Sequence, residues 1–473
     1  MVNIFLKPKE IKTMINAFVG EKAFSLSSSF DIQNEGVLAE IPIDSTGTPL
    51  MINMDSTLNK EEYRLTVNRY DVSVLVSSEA GLRLAMITLK QMLKSDVIPC
   101  MEIHDYPDFE VRGVMIDVQI EIPKPETLKK LIDLLSDLKY NQLQLSFEGL
   151  VFTYTGFENE WKDNNLITPE YLYEIREHCK KRGMELVPLQ NGFGHMKPWL
   201  AIPRLRHLAE CENGYDRNIF GITIHYEPGT LNPLDEKSFE FAKQLYQDIL
   251  PHFESDLLFV GGDECLELGE GKSAEAVKKF GKEKVWVDYI LKLYNMCQEF
   301  GKTMMVWDDM IIKNPELLDL LPKDLIVVDW AYEMYPPFEK NCAVFHNKGI
   351  NFYVAPSTCT WNSYVGRSEK MRENQLSAAK NGKKFGASGY LLTDWGGAQF
   401  PITTYVPFAY GAGLCWNLEG NEHINLALEY LDNNLFDCRG FAEFVYDCGN
   451  AVLHEAYGNP DHCMLIAVHY MLT

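Results

Sequence analysis

The stretch Leu257–Glu264 reads LLFVGGDE and shows the pattern that decides the fold. Four consecutive apolar residues precede two glycines, as in a short buried strand that ends in a tight turn. Two acids, Asp263 and Glu264, follow that turn directly. The pattern predicts a buried strand whose carboxyl end presents two adjacent carboxylates.

Similar apolar runs recur along the chain and alternate with amphipathic stretches such as Thr127–Lys139. This alternation is typical of β/α units that build a parallel sheet. The eight predicted strands are Val111–Val118, Gln142–Phe147, Glu185–Leu189, Leu257–Val260, Thr303–Val306, Leu325–Asp329, Asn351–Ala355 and Tyr390–Thr393. Eight strands over about 300 residues predict an α/β fold of the (β/α)8 TIM barrel type, with an open doubly wound sheet as the alternative.

The residues before the barrel form a separate pattern. Two segments with period-two alternation, Tyr63–Val67 and Val72–Val76, precede Leu82–Leu93, where apolar residues recur at helical spacing. The turn-rich sequence HDYPD at His104–Asp108 then marks a junction. We therefore expect an N-terminal α/β accessory domain over residues 1–107 and a catalytic barrel with a C-terminal helical extension over residues 108–473.

Composition restricts the partners and the compartment. The 473 residues carry a formal net charge of −23, which disfavours nucleic acid and anionic membrane surfaces. No apolar run approaches the roughly 18 residues of a membrane span, and charge appears early in MVNIFLKPKEIK. The eleven cysteines are scattered without a C-x-x-C pair, as in proteins of reducing compartments. These features predict a cytoplasmic protein.

Three other predicted strands also end in an acid beside a tryptophan. These pairs are Trp307 with Asp308, Asp329 with Trp330, and Asp394 with Trp395. Indole faces stack on the apolar face of a pyranose ring while carboxylates bind its hydroxyl groups. Because active sites of barrels lie at the carboxyl ends of the strands, the pattern predicts a sugar pocket there. The structural alternative is that these residues only cap the barrel and the following helices.

Two segments resemble phosphate-binding motifs but depart from them. The run GEGKS at Gly269–Ser273 lacks the first glycine of a phosphate loop, because Leu266 stands in its place. It is better interpreted as a surface loop. The tetrad GGDE also occurs in cyclic-dinucleotide synthases, but Cys265 stands where that family has phenylalanine.

Several segments together resemble glycoside hydrolase family 20, the β-N-acetylhexosaminidases, and most closely the hexosaminidase D type. They are RGVMID at Arg112–Asp117, PLQNGFGHMK at Pro188–Lys197, GGDECLELGEGKS at Gly261–Ser273, VWDDM at Val306–Met310 and TDW at Thr393–Trp395. The opening domain resembles the accessory domain of the same family through Glu62-Tyr63 and TLKQML at Thr88–Leu93. The likeness extends over nearly the whole chain.

The resemblance implies an exo-acting, retaining β-N-acetylhexosaminidase that acts on an amino-sugar glycan without metal or organic cofactor. In such enzymes the 2-acetamido group of the sugar replaces the enzymic nucleophile and forms an oxazolinium intermediate. Glu264 is then the general acid and base, and Asp263 orients the acetamide N–H. The resemblance is also compatible with a homodimer.

The same resemblance implies the substrate-binding residues. Arg112 resembles the arginine that grips ring hydroxyls, and His195 the histidine that links Glu264 to a carboxylate, here Glu148. A plainer interpretation is that His195 only forms hydrogen bonds beneath the pocket. The remaining implied contacts are Trp307, Trp330, Trp361, Asn362, Asp394 and Trp395.

The chain also departs from the family pattern. Phe259 replaces a histidine, the sequence after Asp117 is VQIEIP where many members have Ser-Arg-His, and the second strand lacks the usual paired aspartates. Four residues compete for the role of the tyrosine that braces the acetamide carbonyl: Trp361, Asn362, Tyr364 and Tyr332. The sugar preference thus stays open. Two alternatives are a non-catalytic glycan-binding barrel and a related hydrolase specific for a disaccharide or a sulfated amino sugar.

Overall fold

The computed structural model describes residues 4–30, 32, 41–161, 165–219, 221–396 and 401–454. Its N-terminal part is a six-stranded mixed sheet with the strand order β1-β6-β4-β5-β3-β2. The strands are β1 (Glu10–Ala17), β2 (Phe24–Ser28), β3 (Thr48–Met54), β4 (Tyr63–Val67), β5 (Val72–Val76) and β6 (Pro99–Asp105). The period-two alternation predicted β4 and β5 correctly, because the odd-numbered residues of β4 and the even-numbered residues of β5 are buried.

One helix, α1 (Glu79–Leu93), packs against this sheet. The Ser78 side chain accepts a hydrogen bond from the backbone N–H of Gly81 and so caps its first turn. Leu82, Met86 and Leu89 are buried, as their spacing predicted.

The rest of the chain forms the barrel. Its strands, with a hairpin inserted after the third, are β7 (Val111–Asp117), β8 (Gln142–Phe147), β9 (Glu185–Gln190), β10 (Tyr215–Ile219), β11 (Ile222–Tyr226), β12 (Leu257–Phe259), β13 (Thr303–Trp307), β14 (Ile326–Trp330), β15 (Asn351–Ala355) and β16 (Gly389–Asp394). The eight barrel strands close in the order β12-β13-β14-β15-β16-β7-β8-β9. Because β16 pairs with β7 in parallel from Gly389 to Asp394, the sheet has no open edge, and the open-sheet alternative is wrong.

Helices connect the barrel strands and continue beyond the last one. They are α2 (Pro125–Asp137), α3 (Glu158–Trp161), α4 (Pro169–Lys181), α5 (Lys197–Leu200), α6 (Glu236–Ile249), α7 (Ala274–Phe280), α8 (Lys282–Glu299), α9 (Phe338–Lys348), α10 (Ser368–Phe385), α11 (Tyr405–Trp416), α12 (Leu418–Asn421), α13 (Ile424–Leu431) and α14 (Phe441–Cys448). No helix of the described residues is long and apolar enough to span a bilayer. The C-terminal helical extension was expected, and the division at residue 107 stays a prediction.

The barrel interior is filled by side chains rather than solvent. Met115, Leu189, Phe259, Met305 and Val328 point inward and form a cluster separate from the core between strands and helices. At the carboxyl ends of the strands this cluster contacts Trp307, Trp330 and Trp395. The packed interior is therefore the floor of whatever site lies at the carboxyl ends of the strands.

Arg112 lies at the opposite end of the barrel from the expected site. It is the second residue of β7, and its side chain is 1% exposed. Its Nη1 lies 2.7 Å from Oε2 of Glu61 and donates to the carbonyl of Phe109, while Nε donates to the carbonyl of Lys139. Because the first residues of a barrel strand lie at its amino end, the expected role of Arg112 in binding ring hydroxyls is wrong. The guanidinium instead connects the accessory sheet to the barrel.

Candidate active site

A cavity of about 570 Å³ opens at the carboxyl ends of the barrel strands. Residues from six of the eight strand ends line it, namely His195, Asp263, Glu264, Trp307, Trp330, Tyr332, Trp361 and Trp395. Seven of these eight residues were expected from the sequence as site residues, and Tyr332 was one of the candidates for the acetamide brace. One wall is thus acidic, and the others are aromatic.

The turn after β12 sets the direction of the two acids. Gly261 and Gly262 have φ values of 72° and 89°, which glycine adopts without steric cost. The indole Nε1 of Trp286 donates to the carbonyl of Gly262 at 2.7 Å, and a Cβ on Gly261 would lie 2.0 Å from Oδ1 of Asn191. The turn is therefore held by contacts on both sides, and Asp263 and Glu264 leave it in fixed directions.

Several non-glycine residues around the cavity adopt left-handed backbone conformations. These are His195 (φ 55°), Glu264 (φ 44°), Cys359 (φ 54°) and Asn362 (φ 49°). Such conformations cost on the order of 1–3 kcal/mol each and concentrate at functional sites. At Glu264 the backbone N–H donates to Oδ2 of Asp309 at 3.2 Å, which helps to hold the strained residue.

His195 lies at the centre of a carboxylate cluster. Its Nε2 is 3.2 Å from Oδ2 of Asp263 and 3.5 Å from Oε2 of Glu264, and its Nδ1 is 3.7 Å from Oε1 of Glu148. The structure thus brings together all four residues that were expected to cooperate. The imidazole bridges both acids of the turn to the end of β8.

The charges of this cluster shift the pKa values of its members. The charge of Asp263 raises the pKa of His195 far above its usual range, against the opposing effect of burial, and the adjacent carboxylates of Glu148 and Glu264 add to the rise. The adjacent imidazole of His195 in turn lowers the pKa of Glu264, although burial acts in the other direction. At neutral pH the free site therefore holds an imidazolium beside an ionised Glu264.

The aromatic walls form a continuous chain of ring contacts. Phe259 supports Trp307 from the barrel interior with ring centroids 4.4 Å apart, and Trp307 lies 6.2 Å from Trp395. The indole Nε1 of Trp395 donates to the hydroxyl of Tyr332 at 2.9 Å, and Tyr332 meets Trp361 edge to face at 5.2 Å. Phe259, where the family resemblance predicts histidine, thus supports an indole here.

Three buried polar atoms of the cavity residues have no hydrogen-bond partner among the described residues. They are Nε2 of His195, which faces the carboxylates of Asp263 and Glu264, the acceptor Oδ1 of Asp263 and the donor Nε1 of Trp330. The Tyr332 hydroxyl accepts from Trp395 and also interacts with the side chain of Thr393. Buried polar groups without partners are costly, and a ligand with an N–H and an oxygen satisfies them.

Two other expected contacts do not line the cavity. Asn362 is exposed and is not among the residues that line the cavity. Asp394 points into the protein, where its Oδ1 accepts hydrogen bonds from the hydroxyls of Thr358 at 2.9 Å and Thr360 at 3.0 Å. Their expected roles as substrate contacts stay predictions. Tyr364 does not line the cavity either, so Tyr332 and Trp361 remain as candidates for the acetamide brace.

The GEGKS run binds an anion of the protein itself. The carboxylate of Glu210, which is 1% exposed, accepts hydrogen bonds from the backbone N–H groups of Gly271 and Ser273 and from the Ser273 hydroxyl. The likeness to a phosphate loop thus reflects a real anion-binding geometry, but an internal carboxylate occupies it. Among the described residues no group of three or more His, Cys, Asp or Glu side chains is arranged to hold a metal ion.

Two family models match the chain. The model of the glycosyl hydrolase family 20 catalytic domain matches residues 109–387, and the model of domain 2 of that family matches residues 21–106. The chain belongs to glycosyl hydrolase family 20. The resemblance found in its motifs is therefore confirmed at the level of the family, whereas the closer likeness to the hexosaminidase D type stays a prediction.

Family 20 proteins of diverse organisms are similar to the chain. "Beta-hexosaminidase A" of Caenorhabditis elegans is 21% identical over 353 residues, which cover 69% of this chain and 60% of that protein. "Beta-hexosaminidase subunit beta" of Felis catus is 22% identical over 327 residues, 64% of this chain and 58% of that protein. The chain thus spans about three fifths of the length of these curated relatives.

Solved structures share the family 20 fold. The chitobiase of Flavobacterium johnsoniae superposes with a TM-score of 0.73 at 19% identity and covers 96% of this chain and 74% of its own. The exo β-N-acetylglucosaminidase of Vibrio harveyi, in complex with N-acetylglucosamine, gives a TM-score of 0.74 at 18% identity over 94% of this chain and 78% of its own. Both confirm a barrel preceded by an accessory domain.

Proposed function

We propose that the protein is an exo-acting, retaining β-N-acetylhexosaminidase that removes terminal β-linked N-acetylglucosamine, N-acetylgalactosamine or both. The observation that carries the proposal is the cavity in which Asp263 and Glu264 face Tyr332 and the tryptophans. An aromatic pocket at the strand ends suits the terminal sugar of a chain. The names of the family 20 relatives support the same substrate class.

In this proposal the pocket holds the 2-acetamido group. Oδ1 of Asp263 accepts the acetamide N–H, and the Tyr332 hydroxyl donates to the carbonyl oxygen. The carbonyl oxygen forms a bond to the anomeric carbon as the glycosidic C–O bond breaks, which gives an oxazolinium ion and a departing alcohol. The carboxylate of Asp263 stabilises the positive charge that develops on the acetamide nitrogen.

Glu264 supplies the proton for the leaving oxygen and receives one from water in the second step. The free site holds this proton on His195, because the neighbouring carboxylates raise the pKa of the imidazole. A bound sugar excludes water and disfavours the separated charges of His195 and Glu264. We infer that the proton then moves from Nε2 of His195 to Glu264, across the 3.5 Å that separates them. Glu148 keeps the other side of the imidazole oriented.

The assay that tests the proposal measures nitrophenol release from the 4-nitrophenyl β-glycosides of N-acetylglucosamine and N-acetylgalactosamine. Glu264→Gln and Asp263→Asn are expected to lower kcat by about 10² to 10⁴. Glu267→Gln is the matched control, because Glu267 is buried in the same loop but does not line the cavity. It should retain activity within about threefold of the wild type.

Azide separates the two acids. It should restore turnover to Glu264→Ala, because azide attacks the anomeric carbon of the oxazolinium ion directly, releases a glycosyl azide and needs no general base, but it should not restore turnover to Asp263→Ala. Unchanged rates in both acid variants would refute the catalytic assignment. Saccharide binding without turnover by the wild type would instead support the alternative of a glycan-binding barrel.

We also propose a cytoplasmic location. All ten cysteines in the described part of the chain have free thiols, and most are buried, as suits a reducing compartment. Fractionation of the native cells tests the location. The homodimer stays a prediction, which sedimentation velocity tests.

A further inference from the structure

Two buried acids face each other below the aromatic walls. Asp308 follows Trp307 at the end of β13, and Asp329 precedes Trp330 at the end of β14. Their side chains are 1% and 0% exposed, and their carboxyl groups hydrogen-bond to each other. They lie outside the catalytic assignment above, because neither lines the cavity.

In the described part of the chain no cationic side chain contacts the pair, and Lys313 acts on the adjacent Asp309. Oδ1 of Asp329 accepts from Nδ2 of Asn341 at 3.0 Å, and its Oδ2 lies 3.5 Å from Sγ of Cys342. Asp309 is the other acid that acts on Asp308. The titratable groups that face the pair in the described structure are thus themselves acidic. Two carboxyl groups in such a site can form a hydrogen bond only when one of them carries a proton.

The pair lies where the two strands separate. The backbone ladder between β13 and β14 ends with Trp307 opposite Val328. Beyond that point the backbone N–H of Trp330 donates to Oδ1 of Asp308 at 3.2 Å instead of to a main-chain carbonyl. The side chain of Asp308 therefore continues the connection between the strands at the level of the cavity walls.

We propose that Asp308 and Asp329 share one proton and act as positioning residues that fix the spacing of Trp307 and Trp330. The effect on substrate rests on the proposed function, whereas the shared proton does not. When the proton is lost to solvent, two adjacent negative charges repel each other and the strand ends move apart. Substrate binding then weakens, because Trp307 and Trp330 line the cavity.

The cause of such a loss is a rise in pH. Burial, followed by the charge of Asp329, raises the pKa of Asp308 well above its usual range. Burial likewise raises the pKa of Asp329 to about 7. The shared proton is consequently present at neutral pH and leaves in alkaline solution.

A first experiment needs no substrate. The near-UV circular dichroism of the full chain, followed from about pH 6 to about pH 10, reports the environment of the tryptophans. The wild type should show a transition that is absent from Asp308→Asn, because an amide keeps the hydrogen bonds but cannot ionise. Cys342→Ser removes the neighbouring thiol and should leave the transition in place. A transition that persists in Asp308→Asn, or that disappears in Cys342→Ser, overturns the proposal.

A second experiment measures KM and kcat with the 4-nitrophenyl N-acetylglucosaminide. For the wild type KM should rise at least about fivefold across the transition while kcat changes less, and for Asp308→Asn KM should stay flat. Asp308→Ala should raise KM about tenfold at every pH, because it removes the acceptor for the Trp330 N–H. An equal fall of kcat and kcat/KM in Asp308→Ala contradicts a positioning role. Absence of wild-type turnover refutes the proposed function but leaves the dichroism result decisive for the pair.

Discussion

Gly194 offers a steric test of how closely Asp263 must be placed. A Cβ built on Gly194 would lie 2.1 Å from the carbonyl oxygen of Asp263. Ordinary contacts between such atoms are about 3.2 Å or longer, so the Gly194→Ala substitution must displace one of the two segments by about 1 Å. The backbone of Gly194 is not left-handed, so alanine meets a steric obstacle rather than a conformational one.

Either displacement reaches the catalytic cluster. Movement of Asp263 shifts the carboxylate that we assign to the acetamide, and movement of Gly194 shifts the adjacent His195. The distance of 3.2 Å between His195 and Asp263 cannot be kept in either case. A misplacement of about 1 Å costs on the order of 10² in rate. We therefore expect kcat/KM of Gly194→Ala to fall about 10²-fold.

The matched control is Gly229→Ala, whose added Cβ would lie 3.4 Å from the nearest atom, Oε1 of Glu267. It should remain within about threefold of the wild type in kcat/KM. Thermal melts of both variants show whether activity is lost by unfolding. A folded Gly194→Ala variant with near wild-type kcat/KM would refute the claim that this contact positions Asp263.

Three further perturbations probe the support of the site. Phe259→Ala removes the ring whose centroid lies 4.4 Å from that of Trp307. Urea unfolding should show a free energy of unfolding lower by about 3–5 kcal/mol, and KM should rise; a decrease below about 1 kcal/mol would contradict the packing role. Burial, with the charges of Glu148 and Asp394, raises the pKa of Asp117 to about 7, so the wild type loses stability as pH rises from about 4 to about 7. Asp117→Asn avoids this loss, so its melting temperature should exceed that of the wild type at about pH 8 but not at about pH 4. Equal melting temperatures of the two proteins at both pH values would contradict the raised pKa of Asp117. Glu210→Ala removes the anion bound by the GEGKS loop, which should lower the free energy of unfolding by about 2–3 kcal/mol and speed proteolysis within the loop; an unchanged cleavage rate would show that the carboxylate does not order it.

Sequence patterns predicted the barrel because its strands are local features. Each is a short apolar run between turns, and all eight predicted runs are barrel strands with bounds that differ by at most a few residues. The hairpin β10–β11 was missed, because its polar sequence YDRNI gives no such run. The accessory domain was predicted with two strands and one helix, and the structure adds four strands whose pairing is long-range.

Within the site, a residue's place in its strand predicted its role only where the side chain acts at that strand end. Trp307, Trp330 and Trp395 follow strands and line the cavity, as their positions predicted. The sequence position of Arg112 already argued against a site role, since it lies at the beginning of a strand rather than at its end. The sequence gives no such sign for Asp394, because its partners Thr358 and Thr360 are more than thirty residues away in the chain. Only the structure shows that Asp309 accepts a hydrogen bond from the backbone of Glu264 and that Phe259 packs against Trp307.

The sequence by itself determined that Asp263 and Glu264 follow a glycine turn at a strand end, because strand formation and turn geometry are encoded in neighbouring residues. Only the tertiary structure decided that His195 joins both acids to Glu148, and that Tyr332 faces them across the cavity. Contacts between strand ends depend on the order and register of the closed barrel. Register is fixed by pairing and packing across the whole sheet, which no local pattern specifies.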